Sequence, residues 1–549
     1  MNGFAWSSLL LLLATWPAAL AVGEEPAEQP APQPSAVAKG LELVLLDEGR
    51  MFRLEILMEM DGQPSDVLWN KAFDRLLAFI DRDGSGRLEE SEAARLPSAF
   101  GMRQVLGAGF APMIGRAPDW KALDANGDGG VDREELADFY RRSGSGAAMV
   151  GVGRLPATDK LTDVLLQRLD LNEDQRVVES EWRAAAETLL KLDGNDDELV
   201  GAGELAPKTL YPGASGAATL GSPSLPDAPS SSQPAALPPL VVLPARKADV
   251  DWATAIVALR DGDADGALSK TEAGLPADAF ARLDADQDGQ LKDGELAVWR
   301  ELPPDARWLF RFGERNGRPA FEDLTVGAER QAGRLAAVCG RLKVEARTDE
   351  GKLTEASAAA RRHFAADFTA TDSNRDGFVD RDESRQPNQG GFALLLDHAG
   401  LNGDGKLGER ELESWLDLQQ EIARCQALVT VLDCGQGLFE LLGAVDDGAL
   451  SIRELRGAWA QVSAAQCLKD GKLDRTALPR LLLFSVSHGY PVELLGPAQR
   501  GGPSWFLAMD RNGDGDVSQR EFTGQTAAFD KLDQDRDGLI SQQEAEQGK

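Results

Sequence analysis

A twelve-residue pattern that recurs along the chain limits its fold more than any other feature of the sequence. Its clearest copy runs from Asp284 to Glu295, with carboxylates at positions 1, 3 and 5, glycine at position 6, an aliphatic residue at position 8 and glutamate at position 12. In a tightly wound loop, positions 1, 3 and 5 direct oxygen atoms toward one point, and glycine reaches the positive φ of the sharp turn at little cost. The closing glutamate reaches back from the next helix. The pattern therefore predicts a loop that encloses a hard cation.

Seven segments carry this full pattern, and we number them, together with five weaker copies, as loops 1 to 12 in chain order. All-oxygen sets of this kind suit Ca²⁺, which takes about six to eight oxygen ligands. The predicted ligands at positions 1, 3, 5 and 12 of loops 1, 2, 5, 6, 7, 11 and 12 are Asp81, Asp83, Ser85 and Glu92; Asp124, Asn126, Asp128 and Glu135; Asp261, Asp263, Asp265 and Glu272; Asp284, Asp286, Asp288 and Glu295; Asp372, Asn374, Asp376 and Glu383; Asp510, Asn512, Asp514 and Glu521; and Asp533, Asp535, Asp537 and Glu544.

Loops 3 and 4 keep the ligands but lack the glycine. Gln175 and Glu198 stand at position 6. Because a non-glycine residue with positive φ costs about 1 kcal/mol, we expect these two loops to bind a cation more weakly. Their predicted ligands are Asp170, Asn172, Asp174 and Glu181 in loop 3, and Asp193, Asn195, Asp197 and Glu204 in loop 4.

Loops 8, 9 and 10 are degenerate. Loop 8 is predicted to be an impaired site, and loops 9 and 10 are predicted to be metal-free structural partners, because oxygen ligands are missing. Loop 8 has Gly400 at position 1 before Asn402, Asp404, Gly405 and Glu411; loop 9 has Gly443 and Val445 before Asp447, Gly448 and Glu454; and loop 10 has Gln466, Leu468 and Ala477 around Asp470 and Gly471.

The residues that flank the loops indicate helices. Phe73, Leu76, Leu77 and Ile80 precede Asp81 on one helical face. Loops and flanks together resemble the EF-hand calcium-binding family, and the compact spacing resembles that of exported bacterial proteins with many EF-hand repeats. The resemblance implies a mainly α fold of tandem compact EF-hand pairs, each hand a helix-loop-helix, with small β elements between the pairs. Hand n denotes loop n with its two helices.

The spacing of the loops predicts which hands pair. Loops 3 and 4, loops 5 and 6, loops 9 and 10, and loops 11 and 12 each start 23 residues apart, which leaves 11 residues between the two loops of a pair. That length corresponds to about 17 Å of helix, so the pairs must be compact. Residues 182–192 read as one continuous helix, whereas Gly274 and Pro276 interrupt the segment between loops 5 and 6.

Composition changes divide the chain. Residues 1–21 predict an export signal, with an uncleaved membrane anchor as the alternative, and no later stretch predicts a membrane span. The predicted units are a flexible leader at 22–40, a β element at 41–62, hands 1–4 at 63–211, a Pro-, Ser- and Ala-rich linker at 212–248, hands 5 and 6 at 249–300, a β-containing connector at 301–355, hands 7 and 8 at 356–416, the degenerate hands 9 and 10 at 417–480, and hands 11 and 12 at 481–549. Export would permit disulfides among Cys339, Cys425, Cys434 and Cys467, and buried free thiols are the alternative.

Two segments predict strands rather than helices. Phe52, Leu54, Ile56 and Met58 alternate with charged residues before Asp61-Gly62, and residues 305–346 show a similar alternation. Amphipathic helix fragments are the alternative reading. We expect these β elements to join neighbouring hand pairs.

The charge of the chain excludes some functions. With 58 basic and 90 acidic residues and a net charge of −32, the chain lacks the clustered cations that nucleic acids require. We therefore expect a secreted, periplasmic or cell-surface protein that binds about nine calcium ions in a structural or buffering role. A calcium-dependent sensor or scaffold with an unidentified protein partner is the alternative. An enzyme is the least favoured reading, since the carboxylate pairs are explained by cation ligation and no catalytic motif stands out.

Overall fold

The computed structural model describes residues 40–47, 49–105, 117–155, 157–209, 211, 240–244, 251–325, 335–385, 390–400, 403–444, 448–489 and 501–547. The predicted signal segment, nearly all of the predicted leader and most of the predicted linker lie outside the described residues. So do residues 401 and 402 of loop 8 and residues 445–447 of loop 9, which include Asn402, Val445 and Asp447.

The fold is not mainly helical, and the prediction of tandem EF-hand pairs joined by small β elements is wrong. The chain is 43% helical and 23% strand, and mixed sheets of six and five strands are present. The alternating segments do form strands, but these strands pair with distant segments as well as with their neighbours in sequence. Arg50–Met60 lies beside Ala306–Phe312, and Leu342–Asp349 lies beside Arg480–Ser487. The error has a physical cause, because alternation predicts that a strand has a buried face and not which strand lies beside it.

The strands fall into two classes, those of the two large sheets and short ones inside the loops. In chain order they are β1 (Leu41–Asp47), β2 (Arg50–Met60), β3 (Gln63–Pro64), β4 (Ala148–Arg154), β5 (Leu199–Gly201), β6 (Leu240–Val242), β7 (Leu268–Ser269), β8 (Gln290–Leu291), β9 (Ala306–Phe312), β10 (Phe321–Asp323), β11 (Leu335–Cys339), β12 (Leu342–Asp349), β13 (Phe378–Asp380), β14 (Lys406–Gly408), β15 (Ala427–Asp433), β16 (Ala449–Ser451), β17 (Leu468–Lys469), β18 (Lys472–Leu473), β19 (Arg480–Ser487), β20 (Asp516–Ser518) and β21 (Leu539–Ser541).

The α-helices mostly flank the loops. They are α1 (Ser65–Ile80), α2 (Glu90–Ala93), α3 (Ala99–Gln104), α4 (Trp120–Leu123), α5 (Arg133–Arg142), α6 (Thr158–Leu169), α7 (Glu179–Leu189), α8 (Ala202–Leu205), α9 (Asp251–Arg260), α10 (Lys270–Ala273), α11 (Ala277–Leu283), α12 (Asp293–Val298), α13 (Leu353–Thr371), α14 (Gly390–Ala399), α15 (Glu409–Arg424), α16 (Ile452–Ala464), α17 (Ser504–Met509), α18 (Thr526–Leu532) and α19 (Gln542–Gln547). Short 3₁₀ turns lie at Leu190–Leu192, Trp299–Glu301, Glu383–Arg385 and Arg475–Ala477, and a π turn at Glu440–Ala444.

Two sheets face each other across an apolar core. The first has the order β10-β9-β2-β1-β6, with β3 also paired to β2, and the second has the order β11-β12-β19-β15-β4. Trp308 of the first sheet and Phe484 of the second are fully buried, and their rings lie 6.5 Å apart in an edge-to-face contact. Because β4 comes from the first half of the chain and lies parallel to β15 from the second half, the sandwich ties the two halves together.

The hands form shared cores rather than isolated pairs. Hands 1 and 2 share one buried apolar cluster with hands 7 and 8, in which Phe73 and Trp415 are almost completely buried. Hands 3 and 4 share a second cluster with hands 9 and 10, which includes Trp182 and Phe439. Each of these two four-hand modules is therefore assembled from segments more than 200 residues apart in the chain.

The position-8 strands show which loops pair. Two pairs lie where the 23-residue spacing predicts them, loops 5 and 6 and loops 11 and 12. Loops 1 and 2, and loops 7 and 8, also pair with each other. The predicted pairs of loop 3 with loop 4 and of loop 9 with loop 10 are wrong. Val177 of loop 3 bridges to Leu473 of loop 10, and Val200 of loop 4 pairs with Leu450 of loop 9.

The helix between two loops explains why equal spacing gives different partners. Between loops 3 and 4, α7 and a 3₁₀ turn run without a break from Glu179 to Leu192. A rigid rod of about 17 Å holds the two loops apart at its ends, so neither can reach the other. Between loops 5 and 6, Gly274 has φ 57° and ends α10, which lets the chain reverse and the loops meet.

The four cysteines are buried free thiols. Burial raises the pKa of Cys339 to about 12 and that of Cys467 to about 11. Both side chains are therefore neutral, packed groups at neutral pH rather than reactive thiolates.

A substitution at Trp182 tests the packing of hands 3 and 4 against hands 9 and 10. Its side chain is 2% exposed, and its Nε1 donates a hydrogen bond to the carbonyl oxygen of Leu455 at 3.1 Å. We expect Trp182→Ala to lower the free energy of unfolding by about 3–5 kcal/mol, because a large cavity opens between α7 and α16. Denaturant unfolding followed by circular dichroism measures the change. Val298→Ala, at a side chain that is 49% exposed, is the control with little expected effect.

The buried carboxyl group of Glu440 makes the free energy of unfolding depend on pH. Burial raises the pKa of this carboxyl to about 7 from 4.5, although Thr158 Oγ1 donates to it at 3.0 Å. Because the folded state holds the proton more tightly, this contribution to stability is complete below about pH 4.5 and is lost as the pH rises through about 7. Glu440→Gln should therefore make the protein more stable at pH 8 by up to about 3 kcal/mol, with little difference at pH 4.5. Equal pH slopes for both proteins would contradict this assignment.

Candidate metal centres

We call the nine loops with complete predicted ligand sets, loops 1 to 7, 11 and 12, the competent loops. Each begins where a helix or 3₁₀ turn ends, and most close in the first turn of the next helix; loop 7 closes in a 3₁₀ turn and loop 11 in a non-helical turn. In loop 5, α9 ends at Arg260 and Asp261 follows directly. Ser269 caps α10, and its Oγ accepts the backbone N–H of Glu272. The cap fixes Glu272 in the first turn, where its side chain points back over the loop. Helix capping therefore positions the predicted twelfth ligand.

The closing glutamate joins the two ends of its loop. In loop 5, Glu272 Oε1 accepts the N–H of Gly262 at 2.8 Å, and Oε2 accepts the N–H of Ser269 at 2.9 Å. A similar pair of hydrogen bonds, one from the N–H of position 2 or 3 and one from that of position 9, is made by the closing glutamates of the other eight competent loops, namely Glu92, Glu135, Glu181, Glu204, Glu295, Glu383, Glu521 and Glu544. The closing carboxylate therefore lies between the first and last residues of its loop.

The ligand side chains at positions 1, 3 and 5 are held by backbone N–H groups of the same loop. In loop 1, Asp81 accepts the N–H groups of Ser85 and Gly86 at 3.1 and 2.8 Å, and Asp83 accepts that of Ser85 at 2.9 Å. Such bonds curl the backbone around the oxygens. Among the described residues, carboxylate oxygens lie within 4.8 Å of one another in six sets, five of which are Asp81, Asp83 and Glu92; Asp124, Asp128 and Glu135; Asp193, Asp197 and Glu204; Asp261, Asp263 and Asp265; and Asp284, Asp286 and Glu295.

Buried oxygen atoms show that the loops fit a cation. Asp284 Oδ1 in loop 6 and Asp533 Oδ1 in loop 12 are buried and have no hydrogen-bond partner among the described residues. Burying an unpaired carboxylate oxygen is costly. A cation at the centre of each loop would supply the missing partner, and the all-oxygen donor sets are those that Ca²⁺ prefers.

Loops 3 and 4 adopt the same turn without glycine. Gln175 has φ 63° and Glu198 has φ 66°, which are the left-handed values expected at position 6. The backbone of these loops is thus strained as the sequence predicts, yet Asp193, Asp197 and Glu204 still converge.

The carboxyl groups differ in their ease of ionisation. The N–H of Gly266 lowers the pKa of Asp261, and the N–H of Ser269 lowers that of Glu272. Burial raises the pKa of Asp263, and repulsion from Asp265 raises it further. In loop 11, burial raises the pKa of Asp514 to about 7. Two influences thus compete in these loops: N–H groups favour the charged carboxylates, while burial and mutual repulsion oppose them.

In two of the degenerate loops, side chains of the protein lie against the residue at position 1. In loop 9, the carboxylate of Glu454 lies directly against Gly443, where a Cβ atom would be 1.9 Å from Oε1. In loop 8, Arg82 donates to the carbonyl oxygen of Gly400 at 2.6 Å and Arg95 does so at 3.2 Å. Guanidinium groups therefore stand beside the first position of loop 8, which lacks an acidic side chain.

Sequence reasoning missed the side chains that cross between paired loops. The residue at position 7 of one loop donates to the position-5 carboxylate of its partner in four pairs: Arg87 to Asp128, Gln290 to Asp265, Lys406 to Asp376, and Lys472 to Asp174. A signal was present, since three of these four residues are basic and two lie in loops that lack ligands of their own. It could not be read without knowing which loops pair.

Hands 11 and 12 contact the second four-hand module through their loops. Asn512, a predicted ligand in loop 11, uses its Nδ2 to donate to the carbonyl oxygen of Asp197 in loop 4 at 2.9 Å. Arg453 donates to Asp516 at 2.7 Å and lies 3.5 Å from Asp537. The last pair is therefore held by the same acidic segments that carry its predicted ligands.

Comparison with known proteins identifies part of the array. The EF hand family model matches residues 121–140, 504–523 and 526–545, which contain loops 2, 11 and 12. The chain therefore contains EF-hand motifs, and calcium ions are the ligand that these motifs indicate. No curated protein and no solved structure matches the chain. Within the part of the chain that the structure describes, the helices are too short or too polar to cross a bilayer.

Glu295 and Glu454 form a matched test of the ligand assignment, since one closes a complete loop and the other a degenerate loop. Glu295→Gln removes a charged bidentate ligand, so we expect it to abolish or weaken by at least tenfold the binding of one calcium ion. Glu454→Gln should leave the number of bound ions unchanged. Native mass spectrometry and calcium titration of the full chain measure both. A loss of one ion in Glu454→Gln alone would show that the assignments are reversed.

Proposed function

We propose that this is an exported calcium-binding protein in which calcium has a structural role. The observation that carries the proposal is the position of loops 3 and 4. Each is a competent loop, and each pairs with a degenerate loop from the other half of the chain, loops 10 and 9. A cation bound at either loop would therefore lie at the junction of the two halves, where its contribution to folding acts on the whole molecule.

Nine loops supply ligands for this role. Positions 1, 3, 5 and 12 of loops 1 to 7, 11 and 12 provide the oxygens, and backbone N–H groups already hold these side chains in place. When bound, Ca²⁺ would neutralise the carboxylates that repel one another inside each loop. The three matched motifs support calcium binding, and the remaining six loops are assigned from their ligand pattern and geometry.

A sensor role has weaker support. A calcium sensor exposes an apolar groove, often rich in methionine, when it binds the ion. This chain has only eight methionines, and the apolar helix faces of hands 1 to 4 lie inside cores shared with other hands. Opening a hand would break those shared cores. We therefore favour a constitutive structural or buffering role over a switch.

Export supports the same role. The apolar segment at residues 1–21 predicts a secreted, periplasmic or cell-surface location. Extracellular calcium at millimolar concentration would saturate even weak loops such as 3 and 4, with Kd values of about 10⁻⁴–10⁻³ M. No enzymatic activity is proposed, because the carboxylate clusters are accounted for by cation ligation.

Removal of calcium from the full chain tests the structural role. A site at 100 times its Kd contributes about 2.7 kcal/mol, so we expect chelation to lower the melting temperature sharply and to reverse when calcium is restored. Amide exchange of residues 199–201 and 449–451, which pair between the halves, should become faster at the same time. Thermal scanning and hydrogen-exchange mass spectrometry record the two changes.

Two matched double variants distinguish the calcium loops at the junction of the two halves from calcium loops elsewhere in the chain. Glu181→Gln with Glu204→Gln disables loops 3 and 4, and should speed exchange at residues 199–201 and 449–451. Glu272→Gln with Glu295→Gln disables loops 5 and 6, which pair with each other and not with residues 199–201 or 449–451, and should leave that exchange unchanged. Unchanged melting after chelation would show that calcium has no structural role. Strong calcium-dependent binding of a hydrophobic dye would favour the sensor instead.

A further inference from the structure

Lysines of two degenerate loops reach into the ligand sets of their partners. Lys472 of loop 10 lies 3.0 Å from Asp174 Oδ2 in loop 3, and Lys406 of loop 8 lies 3.4 Å from Asp376 Oδ2 in loop 7. Both aspartates are predicted position-5 ligands. Each ammonium group is therefore placed beside the cation site of another loop.

Backbone N–H groups bind the second oxygen of each of these carboxylates. Asp174 Oδ1 accepts the N–H of Arg176 at 3.0 Å, and Asp376 Oδ1 accepts the N–H of Phe378 at 2.9 Å. With a lysine on Oδ2, both oxygens of each position-5 carboxylate are occupied in this structure. The lysine bond also lowers the pKa of Asp174, as expected for a nearby cation.

The same two degenerate loops lack an acidic residue at position 1. Gly400 stands there in loop 8 and Gln466 in loop 10. Neither loop can neutralise its lysine with an acidic first ligand of its own, and each ammonium group contacts the carboxylate of the partner loop. In loop 8, Arg82 adds a second cation on the carbonyl oxygen of Gly400.

We propose that loops 8 and 10 are built-in regulators of calcium affinity, in which Lys406 and Lys472 take the place of a second bound ion. Each lysine neutralises a ligand carboxylate of its partner loop when calcium is absent, and repels calcium when it binds. The lysines stabilise the calcium-free pair and weaken calcium binding at loops 7 and 3. The inference rests on the proposed calcium binding by those two loops.

The size of the effect follows from charge and distance. A unit charge about 6 Å from a divalent ion in a water-like medium changes its affinity by roughly tenfold, and physiological salt reduces this to roughly threefold. Water-like screening is appropriate because the lysine and aspartate side chains are 36–42% exposed. We therefore expect a threefold to tenfold effect that diminishes at high salt.

Lys472→Met and Lys406→Met in the full chain test the proposal. Each variant should bind calcium threefold to tenfold more tightly at one site and should melt at a lower temperature without calcium. Tighter calcium binding together with a lower melting temperature distinguishes charge regulation from structural damage. Structural damage would weaken calcium binding and lower the melting temperature at the same time. Lys472→Arg keeps the charge and should restore wild-type values. Lys469→Met, at the residue opposite Lys472 in the same hairpin, is the control with no expected change.

Variants that disable loops 3 and 7 test whether the change in calcium affinity arises at those loops. In a background of Glu181→Gln, which removes the closing ligand of loop 3, Lys472→Met should no longer raise calcium affinity, and Glu383→Gln should do the same for Lys406→Met. Binding isotherms with radioactive calcium at low and high salt provide the measurement. Unchanged or weaker binding in both lysine variants overturns the inference. If Glu181→Gln and Glu383→Gln leave the wild-type isotherm unchanged, the proposed calcium binding fails at these loops, and the inference fails with it.

Discussion

Repulsion among carboxylates that are folded into one small loop is the constraint on which this structure depends. A competent loop directs three or four acidic or amide side chains at one point, and the chain carries 90 acidic residues against 58 basic ones. Backbone N–H groups at positions 2, 5, 6 and 9 meet part of this charge, as the bonds of Glu272 and Asp81 show. Basic side chains from paired loops meet another part. The loops that remain best satisfied by a cation are those with buried, unpaired oxygens, such as Asp284 and Asp533.

The β-sandwich holds the charged loops together in one structure. Along the chain, the order of a β-hairpin, two hands, a strand, two hands, a strand and two hands occurs twice, starting at β1 and again at β11, with β9 and β10 between the two copies. Corresponding hands from the two copies share cores, hands 1 and 2 with 7 and 8, and hands 3 and 4 with 9 and 10. Each shared core buries apolar faces that a single pair would leave in water. The modules and the sandwich therefore stabilise one another.

The candidate sites were largely readable from the sequence, because ligand spacing is a local property. Positions 1, 3, 5 and 12 converge wherever the loop closes, and even the strained φ at Gln175 was predictable from the missing glycine. The lysines at positions 406 and 472 were not, because their role depends on the partner loop. The side chain at position 7 is not part of the ligand pattern, so the pattern does not predict its role. Its contact is to a carboxylate up to 298 residues away in the chain.

The sequence by itself determined the loops, their order and the strand character of β1, β2, β9 and β12, because these follow from local spacing and alternation. Only the tertiary structure decided which loop pairs with which and how the strands are ordered, because position 8 is aliphatic in every loop and Val177, Val200, Leu450 and Leu473 are nearly interchangeable as partners. The choice was made by the rigid helix between loops 3 and 4, which keeps them apart, and by the sandwich, which brings the two halves of the chain within reach. Burial of shared apolar faces, rather than any local motif, fixes that arrangement.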